Sequence, residues 1–122
     1  MGMMLGTGGQ SDYGELSTTG AGTVAFRLEV GDTTSTILSK SVAMPGHDAV
    51  DLILRVDPAA GTVLARFAVE SGGVVGPNRN LGNIVLVPRS WFSSAPVAIG
   101  IISTSHGTGA PFPATWDYLR AS

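Results

Sequence analysis

Val50-Asp51-Leu52-Ile53-Leu54-Arg55-Val56 and Thr62-Val63-Leu64-Ala65-Arg66-Phe67-Ala68-Val69-Glu70, joined by Asp57-Pro58-Ala59-Ala60-Gly61, decide the fold class. Val50, Leu52, Leu54 and Val56 alternate with Asp51, Ile53 and Arg55, while Val63, Ala65, Phe67 and Val69 alternate with Leu64, Arg66, Ala68 and Glu70. Period-two alternation turns one apolar face of each run toward a core, as a half-buried strand requires. Pro58 presets the connecting turn and Gly61 can adopt a positive φ, so the two runs are predicted to form an antiparallel hairpin. Pairing Val56 with Val63 aligns both apolar faces and brings Asp51 diagonally near Arg66 on the other side.

Outward from this hairpin the same pattern recurs. Seventeen glycines and seven prolines cut the chain into strand-length pieces. Met1–Leu5, Asp12–Ser17, Thr23–Val30, Thr33–Leu38, Asn83–Val87, Val97–Ser103 and Ala114–Arg120 complete a set of about nine predicted strands. Val97–Ile102 is apolar on both faces, which predicts a central strand packed from two sides. Pro88-Arg89-Ser90-Trp91-Phe92 is the one helical signal, a single turn of 3₁₀ type. One flat sheet would leave too much apolar surface wet, so the expected architecture is an all-β antiparallel sandwich forming one domain over residues 1–122.

Composition excludes several function classes. Nine acidic and seven basic side chains leave a net charge of −2, which supplies no footprint for nucleic acid. With 13% charged and 43% hydrophobic residues, the chain has the composition of a folded domain. Cysteine is absent, which removes disulfides, thiolate metal ligands and a cysteine nucleophile. No apolar run approaches the roughly 18 residues of a membrane-spanning helix, so no membrane partner is expected.

Individual motifs are weak carriers of chemistry. Ser105-His106-Gly107-Thr108 has the His-Gly-Thr string of subtilisin-like proteases, but Gly109, Pro111 and Pro113 forbid the helix that holds such a base, and no partner strings complete a triad. His47 with Asp48 and Asp51 could offer nitrogen and oxygen ligands to a cation, but the second histidine is 59 positions away, cysteine is absent and no acidic loop has a calcium-binding pattern, so no metal and no cofactor are expected. Glycoside hydrolysis needs two carboxyls about 5 to 10 Å apart. The pairs Glu29 with Asp32 and Asp48 with Asp51 are odd-spaced and turn-flanked, leaving hydrolysis a remote alternative and no catalytic residue to name. Gly6-Thr7-Gly8-Gly9-Gln10-Ser11 lacks both the third glycine of a dinucleotide loop and a following helix.

Several strings together carry a resemblance. Met4-Leu5-Gly6-Thr7-Gly8-Gly9-Gln10-Ser11-Asp12-Tyr13, the hairpin from Val50 to Val63, Val97-Ala98-Ile99-Gly100-Ile101-Ile102-Ser103-Thr104-Ser105 and Phe112-Pro113-Ala114-Thr115-Trp116-Asp117-Tyr118 resemble the concanavalin A-like lectin/glucanase superfamily. Within it they look like the accessory jelly-roll modules of large secreted bacterial proteins. The glucanase-type Glu-x-Asp-x-x-Glu string is absent. The resemblance implies a jelly roll, an extracellular location, and further strands ahead of the Gly-Thr-Gly segment that this chain lacks. Their loss would uncover an apolar sheet face and an unpaired edge, so a homo-oligomer, most simply a homodimer, is expected.

The function left standing is noncatalytic recognition of a polysaccharide or glycan. Aromatic rings supply contact area and a polar handle, and neighbouring polar groups bond to hydroxyls. The candidates are Trp91, Trp116, Tyr118 and Tyr13, with Asp12, Asp117, Asn78, Arg79, Asn80 and Arg120 beside them in sequence. On a strand, Trp116, Tyr118 and Arg120 would share one face. The competing reading is that these rings are core, and that the chain is a structural module associating with protein through an apolar sheet face.

Overall fold

The computed structural model describes residues 1–43, 49–93, 96–105, 109 and 113–122. In chain order its strands are β1 (Gly2–Gly6), β2 (Asp12–Thr18), β3 (Thr23–Val30), β4 (Thr33–Ser41), β5 (Ala49–Asp57), β6 (Thr62–Ser71), β7 (Val74–Val75), β8 (Arg79–Asn80), β9 (Val85–Leu86) and β10 (Ala98–Ile102), with a 3₁₀ turn at Arg89–Phe92. All pairings are antiparallel. The first sheet has the order β10-β1-β2-β3-β4; in the second, β5 and β6 form the body and the short β7, β8 and β9 all pair with β6.

The hairpin predicted from Val50 to Glu70 forms in the expected register, Val56 opposite Val63. Its turn is held from three directions. Asp57 Oδ1 accepts from the Ala60 N–H at 3.0 Å, Gly61 adopts φ 66°, and Gly61 O accepts from the Val87 N–H at 2.9 Å. Arg89, at the start of the 3₁₀ turn, donates from Nη2 to the Ala59 carbonyl. The β3–β4 connection is tighter still, with Gly31 and Asp32 alone between Val30 and Thr33 and both at positive φ, the geometry that matches strand twist in two-residue hairpins.

Alternation places one core between the two sheets. Leu16, Val24 and Phe26 from the first sheet and Val63 and Phe67 from the second are the largest fully buried side chains. Leu81, Val85, Val87 and Trp91 extend the same cluster along the second sheet, and Val50, Leu52, Leu54 and Val56 pack against it. A register shift after Phe26 leaves Ile37 unpaired in β4 and 41% exposed, while Leu38 stays opposite Phe26 and against the core. Such a bulge re-aims side chains without breaking the strand. At that edge the sheets come close enough that a Cβ on Gly82 would lie 2.6 Å from Leu38 Cδ2.

Three expectations are corrected. Ala114–Arg120 is not a strand; it joins neither sheet. The strand expected at Asn83–Val87 shrinks to Val85–Leu86, where Val85 is buried and Leu86 is 75% exposed. The run Val97–Ile102 supplies an edge strand, not a central one. Ile99 and Ile101 pair with Leu5 and Met3 and so face the core side, yet each is 46% exposed because the second sheet does not reach over them. Among the described residues no helix is long and apolar enough to cross a membrane.

Candidate functional site

The outward face of the second sheet follows from the hairpin register. With Val63, Ala65, Phe67 and Val69 turned inward, Asp51, Ile53 and Arg55 on β5 and Leu64, Arg66, Ala68 and Glu70 on β6 must point away from the core. Asp51 stands opposite Ala68, Ala49 opposite Glu70, and Arg66 between Ile53 on one side and Asn80 on the other. Two carboxylates, a guanidinium and a carboxamide therefore share one face, around Ala68, which is only 1% exposed. Among the described residues Arg66 Nε is buried without a hydrogen-bond partner.

An aromatic ring is delivered to this face by the C-terminal segment. Tyr118 donates its hydroxyl to Asp51 Oδ1 at 3.4 Å, and the residue remains 68% exposed. The negative charge of Asp51, then burial, the hydrogen bond itself and the charge of Glu70 raise the phenol above its ordinary pKa, while Arg120 opposes them. These causes place Asp51, Glu70 and Arg120 around one phenol. Two residues earlier, half-buried Trp116 donates Nε1–H to Ser103 Oγ at 3.3 Å, just beyond β10. The segment thus touches the second sheet through Tyr118 and the end of the first sheet's edge strand through Trp116. The shared face expected for Trp116, Tyr118 and Arg120 has no strand to create it, so the two rings are anchored separately.

Of the other candidates, Asp117 is exposed on the same segment, Asn80 is exposed beside Arg66, and Asn78 is exposed in the short link before β8. Trp91 is 4% exposed within the core, so its ring is closed to any ligand from solvent. Tyr13 is on the outward face of the first sheet, remote from the Tyr118 cluster. Its hydroxyl donates to Glu29 Oε2 at 3.1 Å, and Thr34 donates to the same oxygen. Burial first, then the hydrogen bond to and charge of Glu29, raise the Tyr13 phenol. Asp12 accepts the Gly31 N–H at 3.3 Å and so serves the adjoining turn.

Sequence reasoning missed Glu70 and gave Asp51 and Arg66 no binding role. The signal was available: extending the Val56–Val63 register sets Glu70 diagonally from Asp51. His47, Asp48 and His106 lie outside the described residues. Among the described residues no three His, Cys, Asp or Glu side chains gather as a metal site would require. No family model matches the chain, and neither does any curated protein or solved structure.

Proposed function

We propose that this chain is a noncatalytic carbohydrate-binding module, a jelly roll of the concanavalin A-like type working outside the cell, and that it holds a polysaccharide or glycan on the outward face of β5 and β6. The observation that carries this reading is the exposed Tyr118 ring tethered to Asp51 with Glu70 and Arg120 near it, and Arg66 and Asn80 farther along the same sheet face. A ring offers a platform for the C–H face of a pyranose, and the carboxylates, guanidinium and carboxamide supply acceptors and donors at its rim for hydroxyls. Affinity electrophoresis of the intact chain through soluble glycans tests it. Retardation by at least one glycan, weakened tenfold or more by Tyr118→Ala, is expected, that tenfold being about 1.4 kcal/mol. No retardation by any glycan sinks the reading, as does full retention in the variant.

A second reading, association between two copies, is favoured by β10. It is an edge strand whose core-side isoleucines stay half in water. Antiparallel pairing of β10 with its counterpart would continue the sheet across a two-fold axis and cover those side chains. Sedimentation distinguishes the outcomes: a dimer at micromolar concentration that Ile101→Lys dissociates supports it, and a monomer at that concentration refutes it.

A further inference from the structure

On the side of the core away from β5, the inward faces of the two sheets part to leave a cleft of about 520 Å³ between the end of β4 and the β6–β8 edge. Its floor is apolar: Phe67, 1% exposed, with Val42 and Val69 beside it, and Val74 at the rim. Two cations enter it from opposite sheets. Lys40 is paired with Val24 and Arg79 with Phe67, both partners being fully buried, so each cation occupies a core-facing position of its strand. No carboxylate lines the cleft among the described residues, although the chain as a whole is acidic.

Core-facing positions ordinarily hold apolar side chains, and long cations placed there run their methylenes along the apolar wall with the charge at the mouth. An anion seated between them gains a charge-assisted hydrogen bond from each, bidentate from the guanidinium. The volume falls in the range of small-molecule pockets, in a cleft that stays open to solvent on one side. We propose that this cleft binds a small amphipathic anion, an apolar body bearing one carboxylate or sulfonate, with Lys40 and Arg79 clasping the acid and Val42, Val69 and Val74 covering the body.

The site is independent of the outward face of β5 and β6, so the two readings stand or fall separately. The test is an amide-resolved NMR titration of the intact chain with three ligands of one shape: 4-phenylbutyrate, 4-phenylbutan-1-ol and 4-phenylbutylamine. Saturable shifts around residues 40–43 and 67–79 are expected with the acid, at least tenfold weaker binding with the alcohol, and none with the amine. Lys40→Gln and Arg79→Gln should each weaken the acid about fivefold or more, and 0.5 M salt should weaken it further. Both side chains are exposed, so spectra unchanged elsewhere will verify that the variants fold. Equal affinity for acid and alcohol overturns the proposal, as do shifts confined to other surfaces, a Lys40→Gln/Arg79→Gln double variant that binds like the parent, or the absence of saturable shifts with the acid.

Discussion

The β5–β6 hairpin and the stretch Ala114–Arg120 both alternate large apolar with smaller or polar residues, yet the first is laddered from Ala49 opposite Glu70 to Asp57 opposite Thr62 and the second joins no sheet. The difference is not in side-chain periodicity. The hairpin carries its own partner five residues away, and a turn held by Asp57, Gly61 and Arg89 that sets the register. Among the described residues Ala114–Arg120 has no adjacent partner strand, and it is tethered by polar contacts of Trp116 to Ser103 and Tyr118 to Asp51. Alternation states which face is apolar; a ladder also needs a neighbour.

Hydrogen exchange should draw this contrast most sharply. Amides of Ile53, Arg66 and Ala68, which face across the β5–β6 ladder, are expected to exchange only through global opening, on the order of 10⁴-fold slower than those of Trp116 to Arg120, given a typical domain stability of about 5 kcal/mol or more. Equal protection in the two regions would erase the distinction. Next in size, Phe67→Ala removes a fully buried ring from the hairpin's inner face and should cost about 3 to 5 kcal/mol in denaturant unfolding. Trp116→Ala, which loses one exposed hydrogen bond and partial burial, should cost under about 2 kcal/mol. Gly61→Val tests the turn: a β-branched residue at φ 66°, with its Cβ 3.0 Å from the Val87 carbonyl oxygen, should cost about 2 kcal/mol or more.

The smallest effects concern the two tyrosines. Both phenols are raised in the folded chain, so the stabilisation each gives is fully present below the unfolded value of about 10 and fades as pH climbs through the folded value. A phenolate absorbance titration should show two late transitions. Asp51→Asn should lower only that of Tyr118 and Glu29→Gln only that of Tyr13. Because Tyr118 is exposed, solvent screening keeps its shift the weaker lever on stability.

The fold was legible where local signals agreed. The hairpin register, the 3₁₀ turn at Trp91 and the four-strand run from β1 to β4 all follow from alternation bounded by glycine, proline or a two-residue turn. β10 was misplaced for a physical reason: Ala98-Ile99-Gly100-Ile101-Ile102 is apolar on both faces whatever its position, and only the width of the opposing sheet leaves Ile99 and Ile101 in water. The site was legible in part. Tyr118, Arg120 and Asn80 could be named from their chemistry, but proximity in sequence could not separate Tyr13, on the opposite outward face, from them. Nor could a proline-bounded turn reveal that Trp91 points into the core. Asp51, Arg66 and Glu70 become neighbours only through the ladder between β5 and β6.

The pairing of β1 with β10 joins residues far apart along the chain, Gly2 lying opposite Ile102. Closing so large a loop is entropically slow compared with zipping the β2–β3–β4 meander or the β5–β6 hairpin, both of which use neighbouring residues. That seam should therefore form last and part first. Until it does, the flank of β1 and the isoleucines of β10 are both left uncovered, and a newly made chain is most prone to sticking to others during that interval.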